Sequence, residues 1–179
     1  MAVIDFFFHI DPLSRLVYFE IKPTALVASK LDYCNGLLYN VTNREINRLQ
    51  GVQNCLARVV TRSPRFCRTT PLLRSLHWLP VSFRIHFKIG LVTFKALCNN
   101  QPIYLKEMLK PLSRTRDLRS SDQNLLLVPR VRTKMGEGSF SVAAPKLWNC
   151  LPYEIRMSKT VQSFRTNLKT FYFNQAFPT

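Results

Sequence analysis

The sequence predicts a mainly α protein, with a helical bundle over residues 25–110 and a smaller α+β region after it that holds a short extended or β element near residues 123–142. Three observations carry this expectation. Apolar residues recur at three- and four-residue steps through several long stretches. A hydrophobic content of 46% over 179 residues is enough to fill a core. Eleven Pro against five Gly mark many short elements with Pro-bounded ends rather than one long coiled coil.

Taken in order, residues 24–40, TALVASKLDYCNGLLYN, place Leu26, Val27, Leu31, Tyr33, Cys34, Leu37 and Leu38 as a buried helix with Gly36 inside it. Thr42 with Glu45 three residues on has the pattern of a capping box. It opens a helix to about Thr61, with Ile46, Leu49, Val52, Leu56, Val59 and Val60 facing inward and Arg48 and Arg58 outward. RSPRFCRT, residues 62–69, reads as a basic turn. Thr70 before Pro71 then starts a short helix, which Pro80 ends. From Val81 to Cys98 the spacing is helical and apolar round most of the circumference, with only Arg84, Lys88 and Lys95 as a polar stripe. Asn99 and Asn100 stop it, and Pro102 opens another short helix through Leu109.

Residues 110–122, KPLSRTRDLRSSD, read as a polar basic loop. In LLLVPRVR, residues 125–132, the β-branched apolar run with Pro129 inside it suits an edge strand or extended segment. Gly136 and Gly138 mark a turn, and SFSVAAPKLWN holds a short strand or a helix start. Thr160 caps a last amphipathic helix whose Val161, Phe164, Leu168, Phe171 and Tyr172 share a face. The five cysteines, at 34, 55, 67, 98 and 150, form an odd set without a Cys-x-x-Cys pair. They are expected to be reduced and mostly buried. The N-terminal MAVIDFFFHIDPL interrupts its Phe run with Asp5, His9 and Asp11, which suits neither a signal peptide nor a membrane helix. A nuclear or cytoplasmic product, not secreted, is expected, and the abrupt FFF start reads as a piece whose partner surface lies upstream.

The net charge of +16 is unevenly spread. Residues 1–50 balance five basic against five acidic side chains, so the whole excess lies beyond them. Between Glu45 and Glu107 there is no carboxylate, while ten Arg and Lys fall there. A field this one-sided suits a polyanionic partner, RNA or DNA, whose charge relieves the self-repulsion.

Catalytic patterns are not visible. Two-metal phosphoryl chemistry needs clustered carboxylates, and no adjacent acidic pair occurs; Asp117 and Asp122 read as solvated loop residues. Cys67, His77, His86 and Cys98 lie nine to twelve residues apart, which does not match paired metal ligands. A Gly-rich phosphate loop is missing too. No catalytic residue, metal, cofactor or small-molecule substrate is therefore expected. Binding is. Arg58, Arg62, Arg65 and Arg68 follow one another across a helix end and a Pro turn, Arg114, Arg116 and Arg119 form a second cluster, and Arg130, Arg132 and Lys134 a third. With Arg84, Lys88 and Lys95 they can neutralise successive phosphates. Phe66 and Phe140 lie among these clusters and can stack on unpaired bases, although core packing is the commoner fate of a Phe.

The motifs SKLDYCNGLLYN, LQGVQNCLARVVT, TPLLRSLHWLPV, RIHFKIGLVTFKAL, YLKEMLKP, LRSSDQNLLLVPR and SFSVAAPKLWNCLP, over about residues 25–179, occur in an order and spacing that resembles the C-terminal part of the reverse transcriptase polyprotein of non-LTR (LINE-type) retrotransposons, of the chicken-repeat and Jockey-like kind. Residues 1–24 are similar only loosely and form a divergent N-terminal segment. The resemblance implies that residues 25–110 are a helical thumb-like region against a template-primer duplex. Residues 111–122 would then be a basic loop, and residues 123–179 a C-terminal region that helps to hold element RNA or target DNA. None of the family's polymerase or endonuclease motifs occurs here, so no catalytic residue carries over.

The two tryptophans stand in passages of like design, SLHWLPV and PKLWNCLP. Each reads as an anchor that fixes a Pro-bounded corner against neighbouring helices, with Trp78 and Pro80 in one and Trp148 and Pro152 in the other. Two alternatives to nucleic-acid binding stay open: a fragment that docks in trans on a reverse transcriptase palm, and a retrotransposon-derived reading frame with no selected function.

Overall fold

The computed structural model describes residues 25–98, 102–112 and 124–178, and over these the protein is mainly helical. The N-terminal segment 1–24, Asn99 and Asn100, and the basic loop from 113 to 122 lie outside the described residues. Residues 25–32 form α1. The expected buried helix over 24–40 does not form as one piece: Cys34 adopts φ 50, a left-handed conformation, and a 3-10 helix follows at Asn35–Leu38. Such short elements hide only one side, so Asn35 is buried while Leu26, Tyr33 and Leu37 stay exposed.

α2 (Asn43–Val60) starts at Thr42 as expected, but the Thr42 hydroxyl makes no capping bond and Glu45 turns to Arg48 at 3.4 Å. Its buried face is Gln53, Leu56 and Ala57, with Ile46, Leu49 and Val60 half-buried, whereas Val52 and Val59 are exposed. A polar residue sets that face. Gln53 Nε2 donates to the Leu79 carbonyl at 2.9 Å, and Gln50 Oε1 accepts from the Val81 amide at 2.9 Å. α3 (Thr69–Ser75) has Arg68, not Thr70, at its N-cap, which leaves Pro71 in the first turn, where the missing amide breaks no helical bond.

α4 (Val81–Cys98) begins directly after Pro80. α5 (Ile103–Glu107) is short, and residues 124–132 are without regular structure. Among the described residues there is no strand: the expected β element reduces to an isolated antiparallel bridge between Pro111 and Leu126, with Leu112 N–H bonded to the Leu125 carbonyl and Leu127 N–H to that of Lys110. Pro111 and Pro129 lack the amides a longer ladder needs. The expected turn at Gly136 and Gly138 is instead α6 (Lys134–Glu137), capped by Thr133. α7 (Phe140–Asn149), α8 (Tyr153–Arg156) and α9 (Val161–Ala176) complete the chain, and Thr160 with Ser163 closes a reciprocal capping box at the start of α9.

α4 is the hub, packing on α9, α7, α2, α5 and the 3-10 helix, which explains why it is apolar nearly all round. At the centre Phe94 stacks on Phe164 with ring centroids 4.2 Å apart, and Trp148 lies 5.9 Å from Phe164. Gly90 permits the close approach of α4 and α9: a Cβ there would come within 3.2 Å of Leu168 Cδ2. The second motif is fixed by two residues together. Trp148, only 1% exposed, donates from Nε1 to the Asn124 carbonyl at 2.8 Å, while the Asn149 amide both accepts from Leu126 N–H (2.9 Å) and donates to its carbonyl (2.8 Å). Asn149 thus gives Leu126 the two bonds that a neighbouring strand would supply.

The cysteine expectation is corrected: all five described thiols are free, Cys34, Cys55, Cys98 and Cys150 are exposed, and Cys67 is intermediate. Each sits on a helix flank or a turn, where a small apolar residue gains little by being covered. No helix among the described residues is long and apolar enough to cross a membrane.

Candidate nucleic-acid interface

The first basic cluster wraps the α2–α3 turn. Thr61 ends α2, its hydroxyl returning to the Ala57 carbonyl at 2.8 Å, and Arg62 takes φ 51 to turn the chain. The four arginines divide there. Arg58 is half-buried and donates from Nε and Nη2 to the Cys67 carbonyl at 3.4 and 3.3 Å, bracing the turn across its own loop. Arg62, Arg65 and Arg68 are exposed, and Phe66 between them is 88% exposed. An aromatic ring so exposed, flanked by guanidinium groups, is suited to stack on a base beside a bound phosphate. Phe140, by contrast, is half-buried and packs on the core.

A second concentration of positive charge is not legible in the sequence as one site. Arg84 and Lys88 on α4 and Arg165 and Lys169 on α9, each pair at i,i+4 spacing, line one cleft of about 370 Å³. Its apolar wall is formed by Trp78, Leu79, Phe87 and Leu91. The first two come from the HWLP corner, which holds its place through Trp78 N–H to the Leu73 carbonyl (2.9 Å) and through His77, at φ 53, stacked on Phe173 at 5.5 Å. Trp78 packs on a small cluster of Ala57, Leu73 and Phe177, so it is an anchor and a cleft residue at once. Asp32 is the one carboxylate that lines the cleft, and Arg84 meets it at 3.1 Å with its side chain 18% exposed. That pairing leaves Lys88, Arg165 and Lys169 as exposed cations there. The sequence reading misses Arg165 and Lys169 because it rests on the apolar face of the last helix; their four-residue spacing beside Leu168 is the available signal.

Arg130 and Arg132 are exposed in the extended segment before α6, with Lys134 at its start, and Lys95 is exposed near the end of α4. Arg114, Arg116 and Arg119 lie outside the described residues. Pro80 and Pro152 stand at the junctions before α4 and α8, as the anchor reading requires. Among the described residues no group of three His, Cys, Asp or Glu could hold a metal ion. Comparison of the chain with protein-family models, with curated proteins and with solved structures returns no match.

Proposed function

We propose that the chain is a non-catalytic nucleic-acid-binding C-terminal fragment of a LINE-type reverse transcriptase, holding RNA or template-primer backbone through Arg and Lys clusters in the nucleus or cytoplasm. The observation that carries this reading is the carboxylate-free stretch from Ile46 to Lys106, whose Arg62, Arg65, Arg68, Lys88 and Lys95 are exposed. Like charges crowded on one stretch repel each other, and phosphate binding with counterion release turns that repulsion into affinity. The seven ordered motifs supply the family part of the proposal, and a thumb-like role for residues 25–110 and a holding role for 123–179 follow from them. Binding of a structured RNA and a matched DNA duplex across a salt series tests it. A second reading has its own observation: Leu26, Tyr33, Leu37, Val52 and Val59 are exposed apolar side chains on α1, the 3-10 helix and α2. Such residues suit docking onto a polymerase palm supplied in trans. Relief of hydrophobic-dye binding by a palm fragment tests that reading.

A further inference from the structure

The cleft between α4 and α9 combines three properties that a phosphate-binding surface alone does not need. It is concave, and its volume of about 370 Å³ falls in the range of small-ligand sites. Cations stand on two of its sides, Lys88 on α4 and Arg165 and Lys169 on α9, while its single carboxylate, Asp32, is taken by Arg84. Its wall includes the flat or apolar faces of Trp78, Phe87 and Leu91. Asn35 also lines it. That residue is 3% exposed, and its Oδ1 has no hydrogen-bond donor. A buried amide oxygen left without a donor costs free energy unless a bound group supplies one.

We propose that this cleft receives one unpaired nucleotide of a single-stranded nucleic acid. The phosphate lies against Lys88, Arg165 and Lys169, the base lies against Trp78 and Phe87, and Asn35 Oδ1 accepts from a base N–H. The inference rests on the nucleic-acid-binding reading and narrows it: a duplex, whose bases are stacked and paired, can reach the exposed arginines of the α2–α3 turn but cannot enter the cleft. A solvated basic groove would show the same cations, yet it would not place an aromatic wall and an unsatisfied buried acceptor beside them.

Intrinsic fluorescence of the full chain offers a direct test, because Trp148 is closed in the core and Trp78 lines the cleft. The chain is titrated at low salt with an adenylate octanucleotide, with a blunt duplex, and with free adenosine monophosphate. The proposal expects saturable quenching by the octanucleotide only, with loss of that quench in Trp78→Phe. It also expects Arg165→Gln with Lys169→Gln, both exposed positions on α9, to weaken octanucleotide binding about tenfold and duplex binding much less. Retained circular dichroism in the double variant, or the same selective loss in Lys88→Gln, separates this from misfolding. Equal binding of both polymers with unchanged emission, or equal losses in the variants, overturns the cleft while leaving the surface reading intact. A quench by micromolar adenosine monophosphate as strong as that of the octanucleotide overturns the assignment to a strand. Failure of both polymers to bind removes the nucleic-acid reading itself, and the cleft proposal with it.

Discussion

Gln53 Nε2 and the Leu79 carbonyl meet at 2.9 Å inside the protein, 26 residues apart in sequence. Gln53 is 1% exposed, and its neighbour Gln50 donates to Gln53 Oε1 at 3.1 Å while accepting from the Val81 amide. The LQGVQN motif therefore holds the Leu79–Pro80–Val81 corner through both of its glutamines, satisfying one carbonyl before Pro80 and one free amide at the start of α4.

Gln53→Leu removes the donor while nearly keeping the volume, and it leaves the buried Leu79 carbonyl unpaired. The expected cost is about 1–3 kcal/mol. Urea denaturation should show a lower midpoint at an unchanged slope.

Trp148 contributes both area and a hydrogen bond to the junction that carries residues 124–126. Trp148→Ala should destabilise by about 3–5 kcal/mol. Asn149→Ala leaves the core intact but removes both bonds to Leu126, so it should chiefly loosen the extended segment. Hydrogen exchange at Leu126 then accelerates more than exchange in α4.

His86 lies among Tyr39, Phe83 and Tyr172, with ring centroids 5.9, 6.3 and 6.1 Å away, and burial pushes its imidazole below the usual 6.5. The denatured chain then takes up a proton near pH 6.5 while the folded chain resists it. Stability is therefore full above that pH and declines as the pH falls from 6.5 toward the lowered folded value. His86→Phe should flatten the melting temperature between those limits, and an unchanged pH slope in that variant contradicts the assignment.

Arg156 is buried, with Nε and Nη1 lacking acceptors, and burial lowers its pKa. A desolvated cation with unmet donors stabilises nothing locally. Arg156→Met, of similar length, should raise the unfolding free energy by about 1–2 kcal/mol in thermal or urea melts.

Much of this architecture is readable from the sequence. α4 and α9 are bounded almost to the residue, because Pro80 and Thr160 are strong start signals and the apolar spacing of Phe164, Leu168 and Tyr172 matches one helical face. Both Trp corners read as anchors for the same reason of apolar flanks. What escapes the sequence depends on side chains that only the fold brings together. Gln50 and Gln53 look like ordinary polar positions, and their burial turns α2 so that Val52 and Val59 face solvent. The α1 region departs from expectation because a left-handed Cys34 is set by local backbone, not by periodicity. The cleft is half legible: Arg84 and Lys88 stand out as binding residues, but Arg165 and Lys169 come from a distant helix, brought near by the approach of Leu168 to Gly90.

The central claim, that exposed cations of this chain hold nucleic-acid backbone, is tested most directly by affinity for a structured RNA and a matched duplex across a salt series, with Arg62, Arg65 and Arg68 replaced by Ser. The account predicts a steep fall of affinity with salt, and a slope lower in the variant by about 0.7–0.9 for each phosphate that is no longer neutralised. Absence of binding by the folded chain at low salt, or a slope unchanged by the three substitutions, contradicts it.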